Sequence, residues 1–86
     1  MTETGISSDP PGPPEVVDAR GQLCPMPVIR MGAVLKDLPA HARVRLLATD
    51  PAARSDVPAF CRMRGHDLLE IRDEGEHTAY LVRKGT

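Results

Sequence analysis

The sequence predicts an α+β fold: a two-layer α/β sandwich in the order β-α-β-α-β-β, its four-stranded mixed sheet carrying two helices on one face. Apolar residues Val28, Met31, Leu35 and Leu38 recur at spacings of three and four, the stripe of an amphipathic helix. Short aliphatic runs, RVRLLAT over 43–49 above all, have strand length and strand composition. Proline and glycine separate these segments at the places where chain reversals are needed.

Taken in order, residues 15–18 (EVVD) read as the first strand and Arg20-Gly21-Gln22 as the turn leaving it. The first helix is expected from Pro25 to Leu38, where Pro39 stops it. Residues 43–49 form the second strand, closed by Asp50-Pro51. A second helix is expected to start with Ser55 as N-cap, to hold Pro58 in its first turn, and to end before Gly65. Val57, Phe60 and Cys61 share its inner face. Residues 68–72 and 78–83 make a closing pair of strands around Glu74-Gly75. Residues 1–14 (MTETGISSDPPGPP) are too rich in proline and glycine to bury a core and are expected to be a disordered tail, leaving 15–86 as the domain.

Composition narrows the function. Eighty-six residues suffice for one domain with a modest core. Phe60 and Tyr80 are the only aromatic residues, so Val, Leu, Ile, Ala and Met are expected to fill that core. The net charge of −1 comes without a basic stripe, and two aromatics make a poor base-stacking platform, so direct nucleic-acid binding is not expected. No stretch approaches the roughly 18 apolar residues of a membrane span, and the N-terminus has no secretory signal pattern, which makes the cytoplasm the expected compartment. Cys24 and Cys61 are the only cysteines and neither belongs to a CxxC pair, so neither a disulfide framework nor a structural metal site is expected. No cofactor is expected.

The informative segment is Cys24-Pro25-Met26-Pro27. Proline disfavours helix at the residue before it and suits the first helical position, so Cys24 is expected as the N-cap. The two prolines stiffen the turn that presents the sulfur, with Gly21, Pro25, Met26, Pro27 and Val28 shaping the site. A thiolate there faces the positive end of the helix dipole, which is expected to lower its pKa modestly and leave an accessible, mildly acidic nucleophile. Such a thiol suits exchange chemistry, which is fastest when the pKa lies near ambient pH. No local base is apparent, because His41, His66 and His77 belong to other segments. A buried structural cysteine that happens to precede proline is the competing reading.

These residues resemble the TusA/SirA family of small sulfur carriers. Asp18-Ala19-Arg20-Gly21-Gln22-Leu23-Cys24-Pro25-Met26-Pro27 is similar to the family signature of Asp, Gly and Cys-Pro-x-Pro. Asp50-Pro51, the run 56–61 (DVPAFC), His66 and the closing run 80–85 (YLVRKG) match as well. Gln22 and Leu23 stand in the reverse polarity to many members. The resemblance implies that Cys24 accepts sulfane sulfur as a persulfide from a cysteine desulfurase. It then hands the sulfur to a TusD/DsrE-like or other relay protein, typically for 2-thiouridine formation in tRNA. Other branches implied by the same motif supply molybdenum cofactor, sulfur oxidation or thiosulfate use. The chain is then a non-turnover carrier of sulfurtransferase type, expected as a monomer.

Cys61 is read as a packed thiol, with a resolving role toward Cys24 as the alternative; a redox or regulatory module using both cysteines is the competing class. Arg20, Arg30 and Lys84 are candidate docking residues around the thiol, and otherwise ordinary solvated charges. Asp50 is expected to fix the turn before Pro51, and Asp18 to brace the loop before Cys24. Gly32 is expected to permit close approach of helix and sheet, or else to be merely tolerated.

Overall fold

The structure, a computed structural model, describes residues 13–85; the tail expected over 1–14 lies almost wholly outside them. Its elements are β1 (Glu15–Ala19), α1 (Met26–Lys36), β2 (Arg43–Ala48), α2 (Ala53–Arg64), β3 (Asp67–Asp73) and β4 (Thr78–Arg83). The expected order is therefore the observed one. The sheet runs β1-β2-β4-β3, with β1 parallel to β2 and the other two pairings antiparallel. A register shift between Leu68 and Glu70 interrupts the β3–β4 ladder. Helix α1 packs on β1, β2 and α2, and α2 packs on β3.

Strand alternation decides which side chains meet the helices. Val44, Leu46 and Ala48 of β2 are buried, and Val82 and Tyr80 lie opposite the first two on β4. Val17 and Ala19 extend this apolar face across β1, and Met31 and Leu35 of α1 with Val57 and Cys61 of α2 close it from above. The core is built as composition required, with two differences. Tyr80 is among its largest fully buried side chains, whereas Ile29 and Ile71 stay 55% and 43% exposed. Phe60 is only partly buried against the core. The close neighbour of Gly32 is that Phe60 ring rather than the sheet: a Cβ at Gly32 would lie 3.1 Å from its Cζ. The glycine lets the two helices approach each other.

Both helix starts depart from expectation, for identifiable reasons. Pro25 occupies the cap position of α1, so Cys24 stands one residue further out, joined to it by a cis peptide bond. The Met26 amide donates to the Leu23 carbonyl (3.0 Å), and the helical ladder begins only with Ile29 N–H bonded to Pro25 O (3.0 Å). In α2 the expected cap Ser55 lies inside the helix. Asp50 starts this helix instead: its Oδ1 accepts from the Ala52 amide at 3.0 Å and its carbonyl from Ala53 at 3.1 Å. The earlier start moves Pro58 from the first turn into the helix interior, where it removes one backbone hydrogen bond. Gly65 ends α2 as expected, at φ +76°, with the His66 amide returning to Cys61 O at 2.9 Å. Helix α1 ends at Lys36, two residues before the expected Leu38.

Leu46 is fully buried on the central strand β2. Leu46→Ala is expected to cost about 2–5 kcal/mol through lost burial and a residual cavity. Urea denaturation measures it as a lower midpoint at unchanged slope.

Candidate functional site

Parallel β1 and β2 both deliver the chain to the same end of the sheet, the carboxyl end of parallel strands, at which open α/β layers commonly place their sites. There the loop after β1 and the loop after β2 are tied together. Gly21, at φ +82°, turns the first loop and donates its amide to Thr49 Oγ1 at 2.9 Å. The Cys24 amide donates to Asp50 Oδ2 at 2.8 Å, while the other oxygen of the same carboxylate holds Ala52. Asp50 thus fixes the turn before Pro51, as expected, and also holds the cysteine backbone. These backbone bonds hold the Asp50 carboxyl below its ordinary pKa.

Asp18 braces the same loop. Its carboxylate accepts from the Arg20 amide at 3.1 Å and from the Arg20 guanidinium at 2.8 and 2.7 Å. That guanidinium contact holds the Asp18 carboxyl well below the usual range. Arg30 reaches back from α1 to donate to Asp18 O at 2.7 Å and to Gln22 Oε1 at 2.9 Å. Two of the three candidate docking cations therefore organise the cysteine loop. Gln22, in its reversed position, supplies the acceptor that Arg30 uses. The third cation does not belong to this site. Lys84 donates to the carbonyls of Lys36 (3.4 Å) and Leu38 (2.5 Å), at the end of α1 remote from the cysteine. Eleven helical residues separate the two ends by about 16 Å.

The Cys24 side chain is half-buried against the core. The apolar side chains around its turn remain open to solvent: Leu23 is 75%, Met26 43% and Ile29 55% exposed. Pro27 is buried and anchors the first turn, and Val28 is partly buried behind it.

The electrostatics reverse the expected direction. Burial, a hydrogen bond from the thiol to Asp56 and the charges of Asp50 and Asp56 together push the Cys24 thiol up to about 11. The dipole argument fails because few first-turn donors remain and none is shown bonded to the sulfur. Pro25 and Pro27 have no N–H, and the Met26 amide is already bonded to Leu23. Cys24 also stands outside the cap. An exposed charge gains only about 0.3–1 kcal/mol from a helix terminus, too little to outweigh burial and two carboxylates.

Asp56 is the site residue that sequence reasoning missed. It lies in the first turn of α2 and is brought to the thiol by the fold. No local spacing in its run, DVPAFC, links it to Cys24. Cys61 is 2% exposed in the core, and burial raises its thiol pKa as well. Among the described residues no cluster of three or more His, Cys, Asp or Glu side chains forms a metal site, and no helix is long and apolar enough to cross a membrane.

Comparison with known proteins agrees with this geometry. Residues 15–84 match the family described as Sulfurtransferase TusA. The sulfur carrier protein TusA of Pseudomonas putida (strain W619) is 38% identical over 72 residues, covering 84% of this chain and 90% of that protein. TusA of Pseudomonas aeruginosa (strain LESB58) is 38% identical over 69 residues, covering 80% and 87% respectively. A crystal structure of a SirA-like protein from Desulfitobacterium hafniense superposes with a TM-score of 0.72 at 25% identity, covering 83% of this chain and 97% of that one.

Two carboxylates with depressed pKa values tie the cysteine loop down. Because their folded values lie below the unfolded ones, their stabilisation is fully present above the unfolded pKa of about 4. It is lost as pH falls through the lower folded values. Melting temperature is expected to fall with acidification below about pH 4, and Asp50→Asn is expected to flatten that fall.

Proposed function

This chain belongs to the TusA family of sulfur carriers, and from that premise we propose that Cys24 carries the sulfur as a persulfide. The donor in this reading is a cysteine desulfurase, and the acceptor a TusD/DsrE-like relay protein of the route to 2-thiouridine in tRNA. Supply of molybdenum cofactor, sulfur oxidation or thiosulfate use are the alternatives that the same chemistry serves. The observation that carries the proposal is the position of Cys24. Its backbone is pinned by Asp50 at 2.8 Å, and its side chain lies on a loop rimmed by exposed Leu23, Met26 and Ile29.

The transfer needs little from the carrier itself. The Cys24 sulfur attacks the outer sulfur of the donor persulfide, and a new S–S bond forms on Cys24. The donor's S–S bond breaks, and its electron pair leaves with the donor sulfur. That sulfur takes up the proton Cys24 gives, so nothing is oxidised or reduced overall. Delivery repeats the exchange with the acceptor thiol as nucleophile. A rim of three apolar side chains suits brief contacts with successive partners. Cys61 has no part in this exchange, since burial in the core keeps partners from it.

Incubation with a cysteine desulfurase and L-cysteine is expected to add the mass of one sulfur atom, reversed by reductant. Intact mass spectrometry is expected to show the addition retained in Cys61→Ala and absent in Cys24→Ser. Sulfur uptake by Cys24→Ser, or its loss in Cys61→Ala with the fold intact, contradicts the assignment.

A further inference from the structure

A groove of about 790 Å³ runs between α1 and α2, within the range of about 300–1,000 Å³ common to small-molecule sites. Part of its lining is apolar: Val28, Ile29 and Gly32 from α1, with Phe60 from α2. The missing side chain at Gly32 keeps it open, since a Cβ there would lie 3.1 Å from Phe60 Cζ.

The rest of the lining is cationic. Lys36 is the last residue of α1 and Arg64 the last of α2, and both line the groove with His66 and Lys84. His66 Nδ1 accepts the Gly85 amide at 3.1 Å, which puts the proton of the neutral ring on Nε2. Burial and the charges of Lys84 and Arg64 lower the His66 pKa, so the ring stays a neutral donor. Asp67, the carboxylate that opposes them at His66, is itself held by Arg83 at 3.0 Å. No carboxylate lines the groove, and among the described residues none pairs with Lys36, Arg64 or Lys84. Arg64 lies 5.8 Å from the Phe60 ring centroid, and Lys84 donates to the main-chain carbonyls of Lys36 and Leu38. Neither contact cancels a charge.

Basic residues in a last helical turn ordinarily complement the helix dipole. That habit accounts for a cation at each helix end, and Arg62 answers to it without lining the groove. It does not account for three unopposed charges converging on a partly apolar cavity, in a chain whose net charge is −1.

We infer that this groove binds a small amphipathic organic anion, its carboxylate, sulfonate or phosphate head held by Lys36, Arg64, Lys84 and His66, and its apolar body laid along Val28, Ile29 and Phe60. Apolar contact supplies the affinity, and the unopposed charges fix the direction in which the ligand lies. Along α1 the groove wall from Val28 to Lys36 measures about 12 Å, the scale of a medium-length acyl chain. Cys24 is not among the lining residues, so the inference stands apart from the carrier reading.

The test uses octanoate as probe, with octanol (the same body without charge) and acetate (the same head without a body) as controls. Each is titrated into the full chain at low salt and near-neutral pH, and backbone amide shifts are followed by NMR. Octanoate is expected to move amides of residues 28–36 and 60–66 and to bind about tenfold more tightly than octanol, with no binding of acetate. Two variants remove the charge preference in opposite ways. Ala33→Glu sets a carboxylate on an exposed position of the groove wall, and the double variant Lys36→Gln/Arg64→Gln removes two cations. Each is expected to weaken octanoate about tenfold and to leave octanol unchanged, with thermal melting confirming the fold. Octanoate that fails to bind, or binds no better than octanol, overturns the inference. So do shifts scattered outside the groove, or an octanoate affinity that the folded variants leave unaltered.

Discussion

The site depends on one carboxylate. Asp50 receives the Cys24 amide on one oxygen and the Ala52 amide on the other, joining the chain before α1 to the chain before α2. The Gly21 amide on Thr49 Oγ1 ties the same two loops a second time, through a neutral acceptor. The β1–α1 loop is short, follows the edge strand β1, and ends in Pro25, which has no N–H to donate. Without a charged acceptor for its amide, Cys24 has no fixed direction. Hydrogen bonds to an ionised group are stronger than neutral ones, which suits a single contact asked to orient a loop. Asp18, with Arg20 and Arg30 gathered on it, stiffens the same loop from the side of β1.

Asp50, which orders the loop, also acts on the sulfur: burial and the negative charges of Asp50 and Asp56 raise the thiol pKa. Proximity to negative charge and partial burial both favour the neutral thiol, and the helix that follows, capped at Pro25 with Cys24 outside the cap, does little to oppose them. The site therefore differs from the activated cysteines of redox enzymes, where a helix terminus or a cation stabilises the thiolate.

Much of this was legible in the sequence because it is local. The α1 stripe, the aliphatic strand over 43–49, the Gly65 stop and the Cys-Pro-x-Pro turn each announce themselves within a few residues, and together they point to the fold and single out Cys24 as the candidate. What stayed hidden depends on contacts between distant segments. Ser55 has the chemistry of a cap, but Asp50 acts three residues ahead of the observed helix start because its carboxylate is already placed there by Cys24. Asp56 becomes a neighbour of the thiol only when α2 is laid beside α1. Lys84 looked like a docking residue until the β4 end placed it on the last carbonyls of α1. The direction of the thiol's pKa depended on those same distant groups, which is why reasoning from the helix dipole alone gave the wrong sign.

The most direct measurement is a heteronuclear NMR spectrum of the chain labelled at the cysteine β-carbons, recorded before and after sulfur loading. The account predicts that the Cys24 resonance alone moves, that it returns on reduction, and that the Cys61 resonance holds its position throughout. A shift confined to Cys61, or spread over both residues, would contradict it.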